Sequence, residues 1–275
     1  MGSVGLVGTH VAVGRGLVKG GLAEAIEAEA EIIQLFGGNP RSWAPRTANP
    51  AADDAFRAAC ADLNLPVVVH APHLINLCSP SELVLGRSVE ALAVTMDRAA
   101  AIGATTVVVH AGSLVDGSRR TTVLKGLRDV IVPIVDSTDV QLLIEPTAGG
   151  GEAAASTIDS TIEYLLALED ERIGVCLDTC HLHAAGVDLT DARPLDDITA
   201  ALGPGRIALV HVNDSRDLVG SHRDRHESLG RGTVGVPGLE SFLRHPALAG
   251  VPMLVETPTH TEDVAILKEM VRGRR

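Results

Sequence analysis

Six apolar runs in this chain stop on a side chain that could bind a metal or move a proton. VVVH ends at His70, a second VVVH at His110, LLIE at Glu145, VCLD at Asp178, ALVH at His211 and MLVE at Glu256. One histidine or aspartate in such a place is ordinarily a cap or a loop residue, but six in succession ask for a common cause. Three imidazoles and three carboxylates form a mixed nitrogen and oxygen donor set, which suits Zn, Mn or Fe rather than Mg or Ca. Gathered without a cation, the carboxylates would repel one another and their pKa values would rise. Two further segments extend the set. DTCH puts His181 three residues beyond Asp178, and HRDRHESLG offers Asp224 and His226 as a D-x-H pair. Alternate residues of an extended segment point the same way, so the pair could grip one ion with His181 as third ligand. By spacing alone, His222 next door is equally available. The count is then five His, two Asp and two Glu, too many for one tetrahedral ion but enough for three if one carboxylate bridges.

The elements that must position these residues follow from the same runs. Strands are expected at 4–8, 31–36, 66–70, 105–110, 140–145, 173–178, 206–211 and 251–256. Most are continuously apolar rather than alternating, as in a parallel sheet covered on both faces. Between them, Leu85, Val89, Leu92 and Met96 form a helical stripe that ends before Gly103. Ile158, Ile162, Leu165 and Leu166 form another behind Thr157, a candidate N-cap. Weaker helical patterns lie at 53–63, 118–135, 196–202, 238–244 and 261–272. From Phe36 onward the strand ends recur every ~35 residues, one βα unit each. Eight such units favour a closed (β/α)8 TIM barrel, a single domain over 1–275, with the site at the C-terminal ends of the strands. The irregular stretch from about 212 to 237 is long enough to be functional.

Composition bounds the function. The 275 residues are 45% hydrophobic, with no apolar stretch near the ~20 residues a membrane helix needs. MGSVGLVGTH lacks the basic and apolar regions of a signal peptide. Cys60, Cys78, Cys176 and Cys180 form no CxxC, so reduced thiols and a cytoplasmic, monomeric protein are expected. Aromatics make up 2%, leaving little surface on which bases could stack. A net charge of −12 argues against a general nucleic-acid surface, although three divalent ions would halve it. Locally, Arg206, Arg216, Arg223, Arg225 and Arg231 offset Asp214, Asp217, Asp224 and Glu227.

Four segments resemble the endonuclease IV family, the zinc-dependent abasic-site endonucleases of base excision repair. They are HAPHLINLCSP from His70, LLIEPTAGGG through Glu145, GVCLDTCHLHAAG through Asp178 and His181, and HVNDSRDLVGSHRDRHESLGRGTVG from His211. LFGGNPRSW and MLVETP agree as well, so the likeness spans nearly the whole chain. The resemblance implies three zinc ions: one on His70 and His110, one on Asp178, His211 and Glu256 with Glu145 bridging the two, and one on His181, Asp224 and His226. It implies that Glu145 is catalytic and positions the attacking hydroxide. It also implies cleavage of the phosphodiester 5′ to an abasic site in double-stranded DNA, leaving a 3′-hydroxyl, and removal of 3′-blocking groups. Asn213 and Asp214 are placed to hydrogen-bond the ligands or to cap the loop. Arg41, His73 and Leu74 are the implied DNA contacts. Here the chain departs from the pattern H-x-x-Y-L, because His73 stands where the family carries an intercalating tyrosine and offers less area for stacking.

Two other readings compete. A sugar isomerase or epimerase on a related barrel would use one metal site and a carboxylate pair, and has no use for His181 with the D-x-H pair. A silent metal- or DNA-binding barrel would have lost a ligand, and none is missing.

Overall fold

The computed structural model describes residues 4–44 and 49–273. In chain order the elements begin with β1 (Val7–His10), a π-helical stretch Leu17–Leu22 running into α1 (Ala23–Glu27), β2 (Ile33–Phe36), α2 (Pro50–Asp62), β3 (Val67–His70), α3 (Glu82–Ala101) and β4 (Thr106–His110). They continue with α4 (Arg120–Val135), β5 (Gln141–Glu145), α5 (Ile158–Ala167), β6 (Gly174–Asp178), α6 (Thr179–Ala184), α7 (Arg193–Leu202) and β7 (Ile207–His211). The last are β8 (Asp214–Ser215), β9 (His226–Glu227), α8 (Gly235–Leu243), β10 (Met253–Val255) and α9 (His260–Arg272). Eight parallel strands close in the order β1-β10-β7-β6-β5-β4-β3-β2, the TIM barrel read from the sequence. Among the described residues no helix is long and apolar enough to cross a membrane.

Two cores hold the barrel. The larger lies between strands and helices, where Leu92, Met96 and Ala99 of α3 and Leu127 and Ile131 of α4 bury their stripes against the outward side chains of the strands. The smaller fills the barrel axis with Ile32, Val68, Val108, Leu143, Cys176, Leu209 and Leu254. A strand turns successive side chains to opposite faces, so the residue two positions beyond each of these also points inward. Those residues are Gln34, His70, His110, Glu145, Asp178, His211 and Glu256. Strand parity thus turns an apolar axial tier into a polar one above it.

Two local expectations need correction, and one stretch of helix was not expected. The first strand is Val7–His10, not 4–8. Gly8 takes the axial position, where a Cβ would lie 1.6 Å from the Ile32 carbonyl oxygen, and this places His10 on the polar tier. The helical stretch before β2 was not legible, because Gly14, Gly16, Gly20 and Gly21 interrupt its apolar period. The stretch after β7 is not wholly irregular: β8 and β9 pair antiparallel through Asp214 with Glu227 and Ser215 with His226. The candidate cap Thr157 holds, forming a capping box with Ser160 at α5, and at α3 Ser81 accepts from Val84 N.

Candidate metal centre

Glu145 stands at the middle of the polar tier and is fully buried. Its Oε2 lies 3.1 Å from His70 Nε2 and 3.5 Å from His110 Nε2. Its Oε1 lies 3.1 Å from His211 Nδ1 and 3.3 Å from His181 Nδ1. His211 Nδ1 is also 3.4 Å from Glu256 Oε2 and 4.0 Å from Asp178 Oδ2. Ligand atoms of Glu145, Asp178, His211 and Glu256 therefore lie within 4.8 Å of one another. A second group of this kind is His181, Asp224 and His226. All nine expected ligands fall in these clusters or at the Glu145 Oε2 contacts of His70 and His110.

The hydrogen bonds define which imidazole nitrogens are free. His70 Nδ1 donates to the Ala71 carbonyl at 2.7 Å, and His181 Nδ1 to the Pro146 carbonyl at 3.0 Å. His226 Nδ1 faces the Glu256 carbonyl at 3.3 Å, and His211 Nε2 donates to Gln34 Oε1 at 2.9 Å. A carbonyl oxygen can only accept, so each of these nitrogens carries the proton. The opposite nitrogen of each ring faces a carboxylate, which is also only an acceptor when ionised. The arrangement requires either a second proton on the ring or a cation between the partners. His181 Nε2 and His226 Nε2 make the point most sharply. They are buried and lie 3.2 and 3.1 Å from Asp224 oxygens, yet neither forms an aligned hydrogen bond. The donor set fits divalent metal.

The charges sort themselves accordingly. Burial opposes ionisation of Glu145, but His211 and His110 outweigh it and hold the carboxyl well below its usual range. Glu256 behaves likewise: burial and Glu145 push it up, and His211 and His10 pull it down further. For these two carboxyls the expected upward shift does not occur, because the imidazoles beside them outweigh burial and mutual repulsion. Burial also opposes charge on His226, yet Asp178 and the contact with Asp224 raise it to about 9. His110 goes the other way, pushed down to about 3 chiefly by burial. Cys180 comes near Asp178 and His226, but burial lifts its thiol to about 12, so it stays a protonated, packed side chain.

Outer contacts fix these ligands. Gln34, which the sequence pattern does not single out, spans two of them: Nε2 donates to Glu256 Oε1 at 2.6 Å while Oε1 accepts from His211. Its amide also reaches His10 Nδ1 at 3.0 Å, which joins His10 to the network. Asn213 donates to Asp178 Oδ2 at 2.7 Å and accepts from Glu256 N at 2.8 Å. Asp178 Oδ1 accepts from His181 N at 2.9 Å, capping the short buried helix α6 that carries His181.

Asp214 does different work. Its buried carboxylate accepts from the backbone N–H groups of Ser215, Gly230, Gly232, Val234 and Gly235 at 2.8 to 3.3 Å. A Cβ on Gly232 would lie 2.3 Å from Asp214 Oδ1, so the knot needs glycine there. It ties the residues after β9 to β8, and β9 carries His226. His222 is turned elsewhere, with Nδ1 against the Ala148 carbonyl at 3.3 Å.

Arg41, His73 and Leu74 are exposed and lie on one side of the rim, where His73 N donates to the Pro40 carbonyl at 3.1 Å. The His73 ring turns toward the centre rather than away from it, 5.3 Å from His70 and 5.2 Å from His110 between ring centroids. The loop arginines do not form a basic face. Arg225 and Arg223 both contact Asp217, and Arg216 lies 3.3 Å from Glu227. Arg206 lies at the far end of β7, bonded to the Ile173 carbonyl. His183, His245 and His260 pair with Thr233, Asp196 and Glu24 outside the centre.

Residues 22–273 match the family model described as a xylose isomerase-like TIM barrel. The chain is 44% identical to the "Probable endonuclease 4" of Streptomyces coelicolor over 280 residues, covering 97% of this chain and 95% of that protein. The crystal structure of endonuclease IV from Thermus thermophilus superposes with a TM-score of 0.81 at 33% identity, covering 97% of each chain. A D-tagatose 3-epimerase-like protein superposes with a TM-score of 0.75 at 19% identity, covering 96% of this chain and 97% of its own, and shares the fold. With its donors gathered at the strand ends and these likenesses running along nearly its whole length, the chain belongs to the endonuclease IV family of xylose isomerase-like TIM barrels.

Proposed function

We propose that this chain is a zinc-dependent abasic-site endonuclease that hydrolyses the phosphodiester 5′ to an abasic site in duplex DNA, leaving a 3′-hydroxyl. The observation that carries this reading is the set of four imidazoles, each with one nitrogen fixed to an oxygen acceptor and the other turned toward shared carboxylates. The names of its relatives support the DNA substrate. Three zinc ions would be held: by His70 and His110, by Asp178, His211 and Glu256 with Glu145 between these two, and by His181, Asp224 and His226. Bound zinc lowers the pKa of water and offsets phosphate charge.

The chain's own residues do the rest. Glu145 divides its oxygens between the His70–His110 side and the His211–His181 side, so it can hold an attacking water between them. Gln34 and Asn213 keep His211, Glu256 and Asp178 from rotating out of line. Asp224 has a side chain 48% exposed, so the site it shares with His181 and His226 is open to an incoming phosphate. Arg41 and Leu74 would contact the duplex on the opposite rim, and blocked 3′ ends would use the same phosphate contacts.

Incision of a duplex carrying one abasic analogue, with and without chelator, tests the reading. Glu145→Gln is expected to lower the incision rate by roughly 1,000-fold or more while leaving the circular dichroism spectrum unchanged. Undiminished cleavage by that variant, or a single ion per chain with tight sugar binding, would sink it.

A further inference from the structure

His73 is not among the nine ligands, yet it stands where a tenth would stand. It follows His70 by three residues, H-A-P-H, in the turn that leaves β3. Its ring, with those of His70 and His110, forms a nearly equilateral triangle with centroids 5.1, 5.2 and 5.3 Å apart. One nitrogen from each of the three rings lies within 4.8 Å of the others. Phe36 packs edge-on against both His70 and His73 and walls the triangle on the β2 side. The backbone of the turn is fixed by His73 N to the Pro40 carbonyl and by Ile75 N to the Pro72 carbonyl, each at 3.1 Å. Among the described residues, no hydrogen bond anchors either nitrogen of His73. Four donors on a tetrahedral zinc with bonds near ~2.1 Å lie ~3.4 Å apart, a spacing that rotation of an unanchored ring can reach.

We propose that His73 is a further protein ligand of the ion held by His70, His110 and Glu145, a role that rests on the metal reading above. His70 Nε2, His110 Nε2, His73 and Glu145 Oε2 then make a complete tetrahedral set. A tyrosine in this position would offer a flat ring and a phenol; the imidazole offers a nitrogen lone pair. The substitution therefore exchanges stacking area for a stronger hold on one ion. An incoming phosphate, or the attacking water, must displace His73 or raise the ion to five ligands.

The test compares wild type, His73→Ala, His73→Tyr and His70→Ala. Zinc affinity is measured by competition with a chromogenic chelator, and ligand number by the visible absorption of the Co²⁺-substituted proteins. Loss of a ligand should cost at least what loss of a supporting hydrogen bond costs, so His73→Ala and His73→Tyr should each weaken one ion by roughly 10- to 100-fold. Both should change the intensity of the cobalt bands, while circular dichroism stays as in wild type. If His70→Ala loses an ion but both His73 variants match wild type in affinity and spectrum, His73 is no ligand and the metal reading stands. If His70→Ala binds as many ions as wild type, both readings fall together.

Discussion

The floor and the rim of the metal centre are built by different means. Glu145, Asp178 and His211 sit on strand ends of a closed ring and are at most 1% exposed. Their places are set by main-chain register, with His110 beside Glu145 and Asp178 beside His211. His181, Asp224 and His226 come from a short helix and a two-residue strand with the loop before it. Their places are set by side chains, namely the Asp178 cap and the Asp214 knot. Damage to the floor should therefore change chemistry while the fold survives, whereas damage beneath the rim should remove geometry first.

The largest effect should come from Asp214→Ala. It leaves five backbone N–H groups, one buried and four part-buried, without their acceptor, which should cost roughly 3 kcal/mol. Urea unfolding should show that loss. Metal analysis should show the His181–Asp224–His226 ion gone and the floor ions retained. Loss of every ion at once would mean that floor and rim are one unit.

Gln34→Leu is the matching change beneath the floor. It removes the acceptor for His211 Nε2 and the donor to Glu256, and should weaken a floor ion by roughly 10- to 100-fold with the rim ion unchanged. Chelator competition reads both. Equal weakening of floor and rim would blur the distinction.

The last difference is in pH. His226 is raised to about 9, so in the metal-free chain its stabilising contribution is complete below about 6.5 and is lost as pH rises through about 9. Asp224 is depressed, so its contribution is present above about 4 and is lost as pH falls. A cation at the rim must displace the His226 proton and that of His181, which Asp178 holds well above its ordinary value against burial, so its affinity should rise by up to roughly tenfold per pH unit for each proton between 6.5 and 9. His110 carries no proton beyond its neutral form at pH 7, so its ion should release none from that ring. Indicator dye during zinc titration would detect the difference; identical proton release at both places would break it.

The floor was legible because each strand is a continuous apolar run whose last residue is polar, and strand parity carries that residue to the axis. His70, His110, Glu145, Asp178, His211 and Glu256 all obey this. Gln34 was missed because it lies inside EIIQLF rather than at its end, although it shares the inward parity of the others. His10 lies at a strand end, but the glycines around β1 conceal in the sequence where that strand stops. At the rim, D-x-H spacing singled out Asp224 and His226 without excluding His222, since only the hairpin register decides which ring faces inward. The Asp214 knot left no periodic trace, because its partners are main-chain amides. The direction of the carboxylate shifts was misjudged from like charges alone, before the imidazoles between them could be placed.

The seam of the barrel has a consequence for synthesis. The ring closes where β1 pairs with β10, at Val7 with Met253, Gly8 with Leu254 and Thr9 with Val255. Glu256 follows immediately. During translation the earliest strand waits for one of the last, and both edges of the unfinished sheet stay open to pairing with other chains. The centre cannot be complete before closure, so a nascent chain carries only part of its donor set. Loading with metal and protection from misassembly thus fall to the same late moment, when a three-residue strand slides into the remaining gap.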